Sequence, residues 1–213
     1  MIVLGFHTAG PACELAIVRD DSIIGTESTA MVRGQDARLP GLTQKLLADT
    51  GVTLKDIDRF AVTTGPGSFT GIRVGVAFAR GLALATGKHC LGVTTLEAAL
   101  PAGQQGSAIV LLPAQKRPPD ITYWAQTFRS GSATDEACEL SLQALIDRLT
   151  SHPHMVYGDA EALAAEQPEL TIHASAPSAV RVAQLASTLD PEQRSARPTY
   201  ARAPDAALPT KRA

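Results

Sequence analysis

The sequence predicts a mixed α/β chain whose sheets carry helices on both faces, and three observations predict it. Three short β-rich runs come first, IVLGFHTA (2–9), CELAIVRD (13–20) and IIGTESTA (23–30). Gly10-Pro11 and Asp21-Ser22 punctuate them as turns of an antiparallel meander. Helical and strand-like segments then alternate, giving β-β-β-α-β-α-β with two right-handed crossovers. Finally, the 213 residues are 45% apolar and only 19% charged, so a core can be buried and wholesale disorder is excluded. That length suits one large domain or two small ones.

Each element has its own signal. In DARLPGLTQKLLADTG, Leu39, Leu42, Leu46 and Leu47 share one helical face and Gly51 is a C-terminal stop. Pro40 is expected near the first turn, where a missing N–H costs little. TLKDIDRF is a short connection and FAVTTG a buried strand. After the glycine-rich stretch GPGSFTG, the run TGIRVGVAFARGLALATG reads as a helix closed by Gly87. HCLGVT is a strand and TTLEAALPAG a short helix. This order is that of a ribonuclease-H-like or actin-like half. LPAGQQG (100–106) is the best boundary, which divides the chain into residues 1–102 and 103–213. In the second half, strands SAIVLLP and ITYWAQTF flank a turn at KRPPD. A helix near 139–150, the strand HMVYGD and a helix at 178–188 follow. The tail, PEQRSARPTYARAPDAALPTKRA, should be extended and pack along the surface.

Several function classes are disfavoured. A net charge of −2 gives no global basic field for nucleic acid, although membership of a nucleic-acid-binding complex stays open. Cys13, Cys90 and Cys138 are odd in number and far apart, against a disulfide framework or a structural zinc site. MIVLGFHTAG lacks the basic n-region of a signal peptide, and no run reaches the roughly 20 apolar residues that span a bilayer. The expected location is the cytoplasm.

Gly65–Gly71 invites three chemical readings, and spacing rejects each. It is one residue too long for a P-loop and no lysine follows. Pro66 and Thr70 stand where a nucleophile elbow needs glycines around Ser68. The glycines are also misplaced for a dinucleotide fingerprint. Two readings remain open. Gly65, Gly67, Ser68 and Thr70, with Arg73, could form an anion-binding loop at a helix N-terminus. Equally, Ser68 or Thr70 could simply cap the helix.

The helix behind the loop is more informative. Gly71, Val74, Gly75, Phe78, Leu82 and Ala85 fall on one broad stripe, with Arg73 and Arg80 opposite. A helix this apolar nearly all round is buried on more than one side, and its own sheet covers only one. Gly71, Gly75 and Ala79 recur every fourth residue, as do Ala77, Gly81 and Ala85. Small residues at that spacing admit a close second helix. Gly71, Val74, Gly75, Phe78, Ala79 and Leu82 are therefore the expected partner-binding surface, with packing between the two halves as the alternative.

TTGPGSFTGIRVGVAFARGLALATGKHCLGVTTLEAA resembles the signature of the bacterial TsaB (YeaZ) family. The resemblance continues in VLGFHTAGPACELAIVRD, in MVRGQDARLPGL and in PTYARAPDAA, and is thin over 130–190. It implies an actin-like fold of two ribonuclease-H-like halves. It also implies a non-catalytic subunit that pairs, through N-terminal helices, with a TsaD-like transferase making N6-threonylcarbamoyladenosine beside the tRNA anticodon. A TsaE-like ATPase would join the assembly, tRNA would be met through the complex, and the chain could self-associate when alone. No catalytic residue, metal or cofactor is expected. The competing function is an actin-like nucleotide hydrolase or an M22-type peptidase acting alone.

The sequence departs from the family pattern at Phe6-His7-Thr8, where I-D-T is usual, at Gln35, and at Pro113-Ala114-Gln115, where D-A-R is common. Loss of the acid at position 7 counts against independent nucleotide chemistry, and such departures also suit a divergent paralogue. His7 reads better as a backbone-bonded histidine than as a ligand. His152 and His154 resemble a metal pair but have no nearby acid or cysteine. His89 and His173 are isolated. Asp159 and Glu161 follow a strand end, where α/β sites often lie, but a solvated helix start explains them as well. Arg197, Tyr200 and Arg202 match the family's tail and could dock on the first half or touch a partner.

Overall fold

The computed structural model describes residues 1–30, 35–116, 119–152 and 154–199. The first sheet contains β1 (Ile2–His7), β2 (Ala12–Arg19), β3 (Ser22–Ala30), β4 (Arg59–Thr63) and β5 (His89–Val93), in the order β3-β2-β1-β4-β5. β1, β2 and β3 form the antiparallel meander, while β4 and β5 run parallel to β1. α1 (Gln35–Thr50) and α2 (Phe69–Thr86) make the two crossovers. α3 (Thr95–Ala99) ends the first run, and Thr94 and Glu97 complete a reciprocal capping box at its start.

The second sheet is built from β6 (Ser107–Gln115), β7 (Thr122–Arg129), β8 (Ser132–Ala133), β9 (Cys138–Ser141), β10 (Met155–Gly158) and β11 (Ile172–His173). Its order is β11-β10-β6-β7-β8, with β9 also paired to β7. α4 (Leu142–Ser151) and α5 (Glu161–Glu166) are its crossovers, and α6 (Ala179–Thr188) follows.

Four apolar cores explain the layering. β1 is apolar on both faces because both are covered, as expected of an inner strand. Leu4 and Phe6 enter a core with α1 and α2 residues such as Leu39, Ile72, Val76 and Ala79. Val3 enters another with Val182 and Ala183 of α6. α4 and α5 cover one face of the second sheet through Leu145 and Leu163. α3, although it follows the first sheet in sequence, packs Leu96 and Ala99 against Ala108, Val110 and Phe128 of the second. α3 and α6 thus cross over, each lying on the sheet of the other run, and they touch in the middle. This is the actin-like arrangement of two α/β halves.

Three local expectations need correction. Pro40 is the sixth residue of α1, not a first-turn residue, because the helix begins at Gln35. There it forgoes an amide that would bond four residues back. The helix expected near 139–150 starts at Leu142, since Cys138–Ser141 first pair with β7 and Ser141 then caps the helix. α5, β8 and β11 were not expected; each is too short to show a period. The tail is extended as anticipated over 194–199, after a single 3-10 turn at Pro191–Gln193. Tyr200 and Arg202 lie outside the described residues, as does the side chain of Gln35.

Candidate functional site

What approaches the glycine-rich loop is the protein's own backbone. A Cβ at Gly65 would stand 2.7 Å from the Thr199 carbonyl oxygen, and Gly65 has φ +116. At Gly67, with φ +149, a side chain would run into the carbonyl of Ala9. These are conformations and clearances that glycine alone accepts cheaply. Ser68 donates its N–H to Ala9 O at 2.8 Å and accepts from Gly71 N at 3.2 Å, capping α2. The capping role is therefore filled by Ser68. Thr70 and Arg73 stand outside, with the Arg73 guanidinium 3.9 Å from the centre of the Phe69 ring.

α2 has two unlike faces. Ser68 opens it, and Gly87, in the left-handed conformation at φ 68, closes it. Gly71, Ile72, Gly75, Val76, Ala79 and Ala83 are buried against the chain's own sheet. Gly75 passes so close to the Thr8 side chain that a Cβ there would overlap the hydroxyl. Val74, Phe78 and Leu82 are half-buried on the same core, and Phe78 meets Phe6 edge-on at 5.8 Å. Ala77, Arg80, Gly81, Leu84 and Ala85 are exposed. Leu84 is 85% exposed, and a Cβ on Gly81 would meet nothing within 4 Å.

The stripe read from the sequence is thus divided. Its small-residue row, Gly71, Gly75 and Ala79, is used internally, so those residues are removed from the candidate docking face. The second row, Ala77, Gly81 and Ala85, lies in the open beside Leu84. Leu84 was left out of the expected surface because it lies with Arg73 and Arg80, opposite the stripe read as the docking face, whereas which side of α2 meets the sheet is decided by the fold. Among the described residues, α2 alone has the length and composition to cross a membrane. Its inner face, however, is built into the core as in a globular domain.

The remaining candidates separate. His7 is 2% exposed, and burial lowers its pKa to about 4, so it is neutral at pH 7. Its Nδ1 has no hydrogen-bond partner among the described residues, so the expected backbone bond is not made there. His154 bonds Ser107 Oγ through Nδ1 at 2.7 Å, and burial chiefly lowers its pKa. His152 ends α4 as its C-cap. Asp159 and Glu161 do converge with Pro113 and Gln115. With Lys116 and Tyr123 they line a cleft of about 330 Å3 outside the carboxyl ends of β6 and β10. Lys116 pairs with Asp159 at 3.4 Å across it, and both side chains are over half exposed.

Comparison with known proteins gives this geometry a family. Residues 30–184 match the family model described as TsaD, tRNA N6-adenosine threonylcarbamoyltransferase. Over 128 residues the chain is 33% identical to the tRNA threonylcarbamoyladenosine biosynthesis protein TsaB of Escherichia coli (strain K12), covering 59% of this chain and 54% of that protein. The chain belongs to this family, in its TsaB (YeaZ) branch. It spans about half the length of the curated TsaB relative it matches. A solved structure of a Pseudomonas aeruginosa protein with similarity to peptidase YEAZ superposes with TM-score 0.71 at 20% identity, over 94% of this chain and 99% of that one. YeaZ from Pseudomonas aeruginosa follows with TM-score 0.64 at 22% identity, over 93% and 99%. At such identities these two show the TsaB-like fold alone. The glycine loop and α2 lie inside the matched span, as do β6 to α5.

Proposed function

We propose that this chain is a non-catalytic subunit that dimerises with a TsaD-like transferase and supports formation of N6-threonylcarbamoyladenosine next to the tRNA anticodon. The outer face of α2 is the docking surface. One observation carries this reading: Leu84 is 85% exposed beside Ala77, Gly81 and Ala85, on a helix whose other face already fills the core. Covering one leucine is worth about 2 kcal/mol, and the small residues around it let a second helix come close. A family that contains the transferase itself makes a partner of related fold reasonable.

The subunit acts by bracing its partner, so its contribution is coupling energy rather than bond-making. A TsaE-like ATPase joins the complex, tRNA is met through it in the cytoplasm, and in isolation the same face permits a homodimer. A hydrolase or peptidase reading gains nothing at position 7, where a buried neutral histidine offers no carboxylate for a metal-bound phosphate.

Leu84→Glu tests the reading. Its side chain points to solvent, so folding should be retained while co-purification with the TsaD-like chain, and the modified nucleoside in cells, fall at least about tenfold, which is the 1.4 kcal/mol expected from losing a good part of one buried leucine. Undiminished capture and modification would refute the docking face.

A further inference from the structure

Residues 194–199 lie along the free edge of β5 and reach the loop that starts α2. Gly92 N donates to Arg194 O at 3.0 Å, Ser195 bridges Leu91 in antiparallel sense, and Thr199 N donates to Thr64 O at 2.8 Å. The Arg194 guanidinium meets Glu97 Oε1 at 2.8 Å, the same carboxylate that receives Thr94 N in the α3 capping box. Ala196 is 4% exposed and sits in the core that holds Ile72, Val76 and Ala79 of α2. Space has been kept for the segment: a Cβ at Gly92 would stand 2.6 Å from Ser195 O. Gly65 is confined between Thr199 O and Ile72 Cδ1, while its own carbonyl accepts from Thr95 N at 2.8 Å. An uncovered strand edge would otherwise offer unpaired amides to other chains.

We infer that the β5 edge is a peptide-binding groove occupied by the chain's own residues 194–199, and that this strap fixes the Gly65–Ser68 turn and so the presentation of α2 to its partner. This rests on the docking face proposed above. The groove recognises an extended segment with an arginine for Glu97, a small residue two positions on for the α2 core, and a backbone N–H for Thr64 O. Arg194 and Ala196 act as positioning residues. Release of the strap loosens the turn, and with it the first turn of α2, without touching Leu84.

Two variants test it, read by hydrogen exchange and by capture of the TsaD-like chain. Thr199→Pro in the full chain removes the N–H that bonds Thr64 O. A chain ended after Gln193 removes the strap, and a synthetic peptide of residues 190–199 is then added back. The expected result is exchange at Ser68, Ile72 and Thr95 amides faster by about five- to tenfold in Thr199→Pro, the worth of one backbone hydrogen bond. The shortened chain should show more, with protection and partner capture both restored by the peptide. Unchanged protection in both variants overturns the strap. Loosened amides with undiminished capture overturn its link to the docking face. Neither outcome touches the docking face itself, which Leu84→Glu tests with the strap intact.

Discussion

The two halves share a strand order and differ in what they place outside it. The first reads β3-β2-β1-β4-β5 and the second, in the same sense, β8-β7-β6-β10-β11. In each, one helix joins the last two parallel strands: α2 in the first, with 18 residues, and α5 in the second, with six. At 1.5 Å per residue these are about 27 Å and about 9 Å long. α5 inserts Leu163 into its core and ends. α2 covers its sheet with one face and carries a second, largely apolar face that no described residue covers. The same topological duty is met by a third of the length, yet α2 is buried against its own sheet from Gly71 to Ala83, so what sets it apart is its exposed outer face rather than its length.

The largest effect should come from the inner face. Gly75→Leu forces a side chain into Thr8, whose hydroxyl already lies within overlap of a single added Cβ. Overpacking a core typically costs 1–3 kcal/mol, and here backbone and β1 must both move, so roughly 3 kcal/mol or more is expected. Urea denaturation should show the loss, or the chain should fail to accumulate folded. A stable, fully folded Gly75→Leu protein would mean that α2 does not sit on β1 as described. That substitution therefore measures folding, and it is no test of partner binding.

A second prediction separates the halves by acid. His7 of β1 is neutral when folded, with burial lowering its pKa to about 4 from 6.5. The unfolded chain takes up the proton below pH 6.5 and the folded one only below about pH 4. Stability from this group is therefore complete above pH 6.5 and drains away as pH falls towards 4, by about 3 kcal/mol in all. Asp135 in the second half behaves otherwise. Burial raises its pKa, but the bonds from Thr127 and Arg148 outweigh it and hold the carboxyl below its ordinary value of 3.8. Its contribution survives until below that pH. Urea midpoints between pH 7 and 4.5 should fall for the native chain and much less for His7→Gln. Equal slopes for the two proteins would show that His7 is not the group responsible.

These contrasts also mark what the sequence could reveal. The ends of α2 were legible because Ser68 and Gly87 act locally, through a hydroxyl and a positive φ. Its surplus apolarity was legible because composition needs no coordinates. Which of two equivalent small-residue rows would face inward was not, since Thr8 and Phe6 decide it and they lie more than 60 residues away. Asp159 and Glu161 were visible as acids after a strand, but their meeting with Lys116 and Pro113 follows from pairing of β6 with β10. The tail could be read as extended from its prolines. Its seat on β5 could not, because the clearances at Gly65 and Gly92 become meaningful only once both strands are placed.

The smallest effect is the sharpest test of the outer row. Gly81 sits inside α2 on the exposed face, with nothing within 4 Å of an added Cβ and no positive φ. Gly81→Ala should therefore stabilise the isolated chain by up to about 1 kcal/mol, the helix propensity that glycine forgoes. Gly75, six residues earlier in the same helix, would give the opposite sign for any added carbon. If close helix approach is why Gly81 stands there, the same methyl should weaken capture of the TsaD-like chain while thermal stability rises. A rise in both would place the contact elsewhere on the outer face, around Leu84 alone. A fall in stability would mean that Gly81 is already packed, and the second face of α2 would then be internal after all.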